Sequence, residues 1–117
     1  MAKVGNVIAE NSIAGSGSVR TSKKRYAIIS SSWSAEPDAS NYYTYTVTLS
    51  NPELDTSYAP NIYIAGSTDS TFPTQTERDN FNLLNECNLS ASTTLVLYAT
   101  VKPTATFYVF IEGVIAE

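Results

Sequence analysis

The amino-acid sequence predicts a mainly β protein: a small antiparallel β-sandwich or barrel with one short α-helix near residues 75–86 and an extended N-terminal arm. Three observations support this prediction. Short segments of alternating or β-branched residues are separated by turn residues, a single segment has helical spacing, and a GSGS joint separates the first residues from the rest. The 117 residues suit one core, so we expect an arm at 1–24 and one domain at 25–117.

The predicted arm is basic and the predicted domain is acidic. Residues 1–25 sum to +4 and residues 26–117 sum to -8, with four of the seven basic residues in VRTSKKR at 19–25. Such a run indicates either a nucleic-acid patch or a solvated, partner-facing start of a strand. The negative charge of the domain would repel the phosphates of a nucleic acid. We therefore favour a solvated or partner-facing strand and predict no nucleic-acid partner.

We therefore expect the arm to pack on a neighbouring subunit or on another protein, the alternative being an unstructured tail. An isolated short strand such as VGNVIA (4–9) needs the edge of another sheet to pair with. The candidate partner-binding residues are Val4, Val7, Ile8, Arg20, Lys23 and Lys24.

The clearest predicted strand is Tyr42–Leu49. Four aromatic or aliphatic residues alternate there with Thr44, Thr46 and Thr48, so one face should be buried and the threonine face should be wetter. The other predicted strands before the helix are Arg25–Ser31 and Asn61–Gly66. A polar loop at 30–41 contains the single tryptophan, Trp33, which we interpret as a structural anchor rather than a ligand platform.

The predicted helix is Gln75–Glu86. Thr74 and Glu77 have capping-box spacing at its start, and apolar residues recur at helical spacing as far as Cys87. Cys87 has no histidine partner and is interpreted as a small core residue.

Two further strands are predicted at 93–101 and 105–115. Both have apolar residues on both faces, with Val96 and Tyr98 opposite the first apolar face and Tyr108 and Phe110 opposite the second. Apolar residues on both faces predict burial on both sides or a subunit interface, and therefore a homo-oligomer.

No enzyme and no cofactor are predicted. The chain has no histidine and one cysteine, which removes the commonest general base and a cysteine-rich metal site. The paired carboxylates, such as Glu36 with Asp38, are explained by loops or helix capping, and a calcium ion in the 36–41 or 53–55 loop stays an open alternative. There is no apolar run long enough for a membrane span and no signal peptide, so we expect synthesis in a cytoplasm.

The eight tyrosines are the one unusual functional feature. Tyrosine suits a half-buried β-surface, and exposed tyrosine suits protein contacts and sugar rings. The candidate glycan contacts are Tyr42 and Tyr58.

Residues 25–117 resemble a small β-rich domain of bacteriophage tail-fibre and baseplate-type virion structural proteins. Trp33, Pro37 and YTYTV at 43–47 match that family's Trp…Pro…strand arrangement. The layout that follows also matches, with SNPELDTSYAP, NIYIAG, TQTERDNFNLLNE and finally TTLVLYATVKPTATFYVFIEGVI.

The resemblance implies a non-enzymatic virion structural protein, a component of a tail fibre, a baseplate or a head fibre or decoration. It implies a trimer or higher assembly formed through the arm and the sheet surfaces, with synthesis in the bacterial host cytoplasm, other virion proteins as partners and no membrane. The alternative function is a carbohydrate- or receptor-binding module that contacts the host cell surface.

Overall fold

The computed structural model describes residues 2–3 and 20–116, and antiparallel strands form most of its regular structure. The elements are β1 (Ala2–Lys3), β2 (Thr21–Ile28), a 3-10 turn (Ser30–Ser32), β3 (Tyr43–Thr48), β4 (Asn61–Ala65), α1 (Gln75–Phe81), β5 (Glu86–Ala91), β6 (Thr94–Ala99) and β7 (Phe107–Val114). The predicted mainly β fold with one short helix is confirmed.

Within the described residues the strands form two sheets. The four-stranded sheet has the order β1-β5-β6-β3, in which β1 contributes only two residues, and the three-stranded sheet has the order β2-β7-β4. One apolar core joins them, and its fully buried members include Ile28, Ile62, Leu95, Leu97 and Phe107. The result is a sandwich in which each sheet has one face toward the core and one outer face.

Strand alternation decides which side chains enter the core. In β3, Tyr45 and Val47 are buried while Thr46 and Thr48 are exposed, so the predicted wetter threonine face is confirmed. In β7 the odd-numbered residues from Phe107 to Gly113 are buried, and Tyr108, Phe110 and Glu112 lie half-buried on the outside. Val114, at the end of the strand, is buried as well.

The first long strand begins earlier than expected. It starts at Thr21 rather than Arg25 and ends at Ile28, pairing over its whole length with β7. Residues 21–24 therefore belong to the sheet and not to the arm. The physical reason is that β7 has eight residues with which β2 can form backbone hydrogen bonds. Lysines are tolerated on such an edge strand because their long aliphatic chains keep the ammonium group in solvent.

The helix is shorter than predicted, and one strand was missed. The capping box is present, with the Thr74 hydroxyl accepting from the Glu77 N–H at 3.1 Å. The helix nevertheless ends at Phe81, and β5 begins at Glu86. The N–H of Asn85 already donates to the carbonyl of Tyr98 at 2.8 Å, so pairing with β6 replaces the last helical turn.

Trp33 and Cys87 are both in the core, as expected. Trp33 is 6% exposed, and its ring centroid lies 5.3 Å from that of Tyr45. Cys87 is fully buried, although it lies on β5 and not at the end of a helix.

Candidate functional site: the outer face of the three-stranded sheet

The outer face of the three-stranded sheet has aromatic rings beside basic side chains. Register places Lys23 of β2 opposite Glu112 of β7, and Arg25 opposite Phe110. Tyr63 of β4 lies on the other side of Phe110. We call this surface the cation–aromatic face; its members are Lys23, Arg25, Tyr63, Tyr108, Phe110 and Glu112.

The two cations lie over the rings. The Lys23 Nζ is 4.9 Å from the Phe110 ring centroid and 5.3 Å from that of Tyr63. The Arg25 guanidinium carbon is 4.7 Å from the Phe110 centroid. These distances are within the range of cation–π attraction, so the face of Phe110 is shielded from water by basic side chains.

Acidic groups complete the surface. The Tyr63 hydroxyl donates to Glu112 Oε1 at 3.1 Å, and Arg25 Nη2 is 2.7 Å from Asp69 Oδ1. Burial, followed by the hydrogen bond to Glu112 and its negative charge, raises the pKa of Tyr63. Tyr63 therefore remains a neutral hydrogen-bond donor throughout the neutral pH range.

Asp69 reaches the face because the loop after β4 folds back over the sheet. A Cβ placed on Gly66 would lie 1.6 Å from the carbonyl oxygen of Thr71, so only glycine allows this close approach. The loop covers Ala65, which is buried although it lies on the outer side of β4.

The predicted basic patch is divided between two faces. Lys23 lies on the cation–aromatic face, whereas Lys24 faces the other way and its ammonium donates to the carbonyl of Asn51. Arg20 is exposed immediately before β2. The candidates Val4, Val7 and Ile8 lie outside the described residues.

The two candidate glycan tyrosines do not form one site. Tyr42 immediately precedes β3, and its ring contacts that of Tyr98. Tyr58 lies in the loop between Leu54, which bridges to Ile115, and the start of β4. These positions are at opposite ends of the sandwich, because β3 begins where β7 begins and Tyr58 lies near the end of β7.

The sequence did not predict that Tyr63, Glu112 and Asp69 meet at the cation–aromatic face. Part of the face was visible in the sequence, since Tyr108 and Phe110 alternate with the apolar residues that the structure buries in the same strand. The missing information was which strands flank β7, and that is a property of the topology.

The described part of the chain contains no group of three or more side chains able to hold a metal ion, counting cysteine, aspartate and glutamate. In the same residues, no helix is long and apolar enough to cross a membrane. The chain matches no family model, no curated protein and no solved structure.

Proposed function

We propose that the protein is a non-enzymatic assembly domain that associates with copies of itself and with other structural proteins through the cation–aromatic face. The observation that carries this proposal is an outer sheet face with three half-buried aromatic rings and a half-buried arginine. Aromatic residues and arginine are enriched at the centres of protein interfaces, where they supply most of the binding free energy.

The geometry of the face favours a protein partner over a small ligand. Lys23 and Arg25 occupy the space above Phe110, so a sugar ring could stack there only by displacing them. A protein surface can instead lie over both cations and pair with them. The four charged groups at the face are two basic and two acidic, a mixture that can complement a second copy of the same surface.

The particle type comes from the sequence resemblance. We propose a structural component of a bacteriophage virion, such as a tail fibre, a baseplate or a head decoration. The assembly is a trimer or larger, and it forms after synthesis in the host cytoplasm.

Phe110→Thr tests the assembly surface. This substitution keeps a β-forming residue and removes the ring under both cations, so it should reduce the assembly to monomers while the protein remains folded. Mass would be measured by light scattering at micromolar concentration, with circular dichroism as the check on folding. Val96→Thr is the matched control, since Val96 is half-buried on the outer face of the central strand β6.

We expect a wild-type mass at least three times 12.7 kDa, unchanged in Val96→Thr. A wild-type mass near 12.7 kDa would refute self-assembly. An assembled and folded Phe110→Thr protein would refute the role of this face.

A further inference from the structure

We infer that Tyr42, Tyr98 and Glu86 form a binding site for an uncharged carbohydrate on the outer face of the four-stranded sheet. This site lies on the opposite sheet from the cation–aromatic face and does not rest on the proposed function. The ligand class follows from two tyrosine rings beside hydrogen-bond acceptors. The rings can pack on the C–H groups of a pyranose, and the acceptors can bind its hydroxyl groups.

The sheet brings these residues into neighbouring rows. Register aligns Thr44 of β3, Tyr98 of β6 and Glu86 of β5 across the outer face. Tyr42 lies one row further along, with its ring centroid 5.7 Å from that of Tyr98 in an edge-on contact.

Polar residues lie beside the two tyrosines on the same and neighbouring strands. Asn85 and Thr100 are both exposed, and the Asn85 Oδ1 accepts from the Thr100 N–H at 2.8 Å. The hydroxyl of Thr44 is on the same row as Tyr98. Hydroxyls and amides of this kind both donate to and accept from sugar hydroxyl groups.

Tyr42 is held rigidly before any ligand arrives. The Asp38 carboxylate accepts from the N–H groups of Ser40 and Tyr42 at 2.8 and 3.0 Å, and the Asp38 N–H donates to the Tyr42 carbonyl at 2.8 Å. Asn41 adopts the left-handed conformation, with φ of 67°, inside this closed turn. A preformed turn reduces the entropy that binding would otherwise cost.

The rings of this site are not covered by cations. Lys102 lies over Tyr43 at 5.1 Å, and Lys23 and Arg25 cover the rings of the other sheet. Across the described residues no such cation contact involves Tyr42 or Tyr98, so no cation among them competes with a ligand for these two rings.

The local charge selects against anionic sugars. The negative charge of Glu86 raises the pKa of Tyr42, followed by burial, by hydrogen bonding to Glu86 and by the charge of Asp38. Glu86 and Asp38 thus place two carboxylates near the Tyr42 hydroxyl. A sialylated or sulfated glycan would meet net repulsion, whereas uncharged hydroxyl groups can donate to the carboxylates.

The probe is an array of uncharged oligosaccharides of glucose, galactose, mannose and N-acetylglucosamine, printed beside sialylated and sulfated versions. Hits would be verified by saturation-transfer NMR with the full chain. We expect binding to uncharged members, weakened at least about tenfold by Tyr42→Ala, Tyr98→Thr or Glu86→Gln. Tyr58→Ala is the control, because Tyr58 lies at the other end of the sandwich and should bind like the wild type.

Glu86→Gln retains the shape of the side chain, so its effect does not depend on a folding defect, and thermal melting checks the other variants. The inference is overturned if no uncharged oligosaccharide binds at millimolar concentration, if charged versions bind better, or if Tyr58→Ala weakens binding as much as Tyr42→Ala does. The mass measurements on Phe110→Thr are unaffected by any of these results.

Discussion

Tyrosine hydroxyls connect the two sheets of this protein along one side of the sandwich. The Tyr45 hydroxyl accepts from the Ile29 N–H at 2.9 Å and donates to the Ala27 carbonyl at 3.3 Å. The Tyr26 hydroxyl accepts from the Ser50 N–H at 3.1 Å. The Tyr45 bonds satisfy backbone groups at the end of β2, and the Tyr26 bond satisfies a backbone N–H that follows β3. Several tyrosines thus have a structural role that composition alone does not reveal.

The burial of Cys87 can be tested through the pH dependence of the protein's stability. Burial, with a smaller contribution from the negative charge of Glu86, raises the pKa of its thiol from 9.0 to about 12. Below pH 9 the folded and unfolded states both retain the proton, and above it the unfolded state loses the proton first. The free energy of unfolding should therefore fall between pH 9 and 12, by at most about 1.4 kcal/mol per pH unit from this group.

Urea unfolding at a series of pH values, compared between wild type and Cys87→Ala, measures this slope. The variant should have a shallower pH dependence, and the native wild-type thiol should resist alkylation at pH 8. Equal slopes in the two proteins, or rapid alkylation of the folded wild type, would show that Cys87 is accessible.

Trp33→Ala should cost about 3–5 kcal/mol of folding free energy because the ring is buried against Tyr45. The indole Nε1 has no hydrogen-bond partner among the described residues, so Trp33→Phe should cost much less. Urea unfolding of both variants measures the difference. A Trp33→Ala protein that is as stable as the wild type would contradict the anchor role, and loss of binding by the same stable variant would make Trp33 a ligand contact.

At the scale of elements, the buried side chain of Asn80 joins the short helix to the connection between β6 and β7. The Asn80 Oδ1 accepts from the N–H groups of Thr104 and Ala105 at 2.8 and 3.2 Å, and its Nδ2 donates to the Thr76 carbonyl at 2.9 Å. Asn80 therefore positions the connection between β6 and β7, which the chain cannot hold by strand pairing.

Asn80→Ala should destabilise the protein by about 2–3 kcal/mol, because it leaves two backbone donors without their acceptor. Asn82→Ala is the control, since Asn82 is exposed at the end of the same helix and should change stability by less than about 0.5 kcal/mol. Thermal and urea unfolding provide both values. Similar losses of unfolding free energy in the two variants would contradict a specific role of Asn80 in holding this connection.

For the whole molecule, the uneven charge leads to a prediction about the arm. Deleting residues 2–18 removes the two-residue strand β1 but should leave a folded domain, because the buried apolar residues in the described part of the chain lie between Ile28 and Val114. The deletion should nevertheless weaken assembly, since it removes the strand-forming segment that we expect to pair with a neighbouring sheet edge. Light scattering and circular dichroism measure the two properties.

Added salt should weaken the full-length assembly only modestly if apolar contacts dominate. An assembly of unchanged mass after the deletion would contradict a role for the arm. Loss of folding in the truncated chain would show instead that the arm completes the core.

The alternation and spacing of side chains along the sequence were enough to predict much of the fold and part of the candidate surfaces. The alternation of Tyr45 and Val47 with threonines predicted the buried face of β3, and the Thr74–Glu77 spacing predicted where the helix begins. Tyr108 and Phe110 were predicted to share the second apolar face of their strand, although the alternation did not say which face is outward. The end of the helix was not predictable in the same way, since Phe81, Leu84 and Cys87 are buried whether the chain continues as a helix or turns into a strand.

The sequence by itself determined the class of the protein, its core residues and its strand faces, because side-chain alternation and helical spacing depend only on neighbours along the chain. The tertiary structure alone decided which strands lie side by side. That choice placed Tyr63 and Arg25 on either side of Phe110, and Glu86 beside Tyr98 across the other sheet. These partners are tens of residues apart in sequence, and only the hydrogen-bonded register of antiparallel strands brings their side chains onto one face.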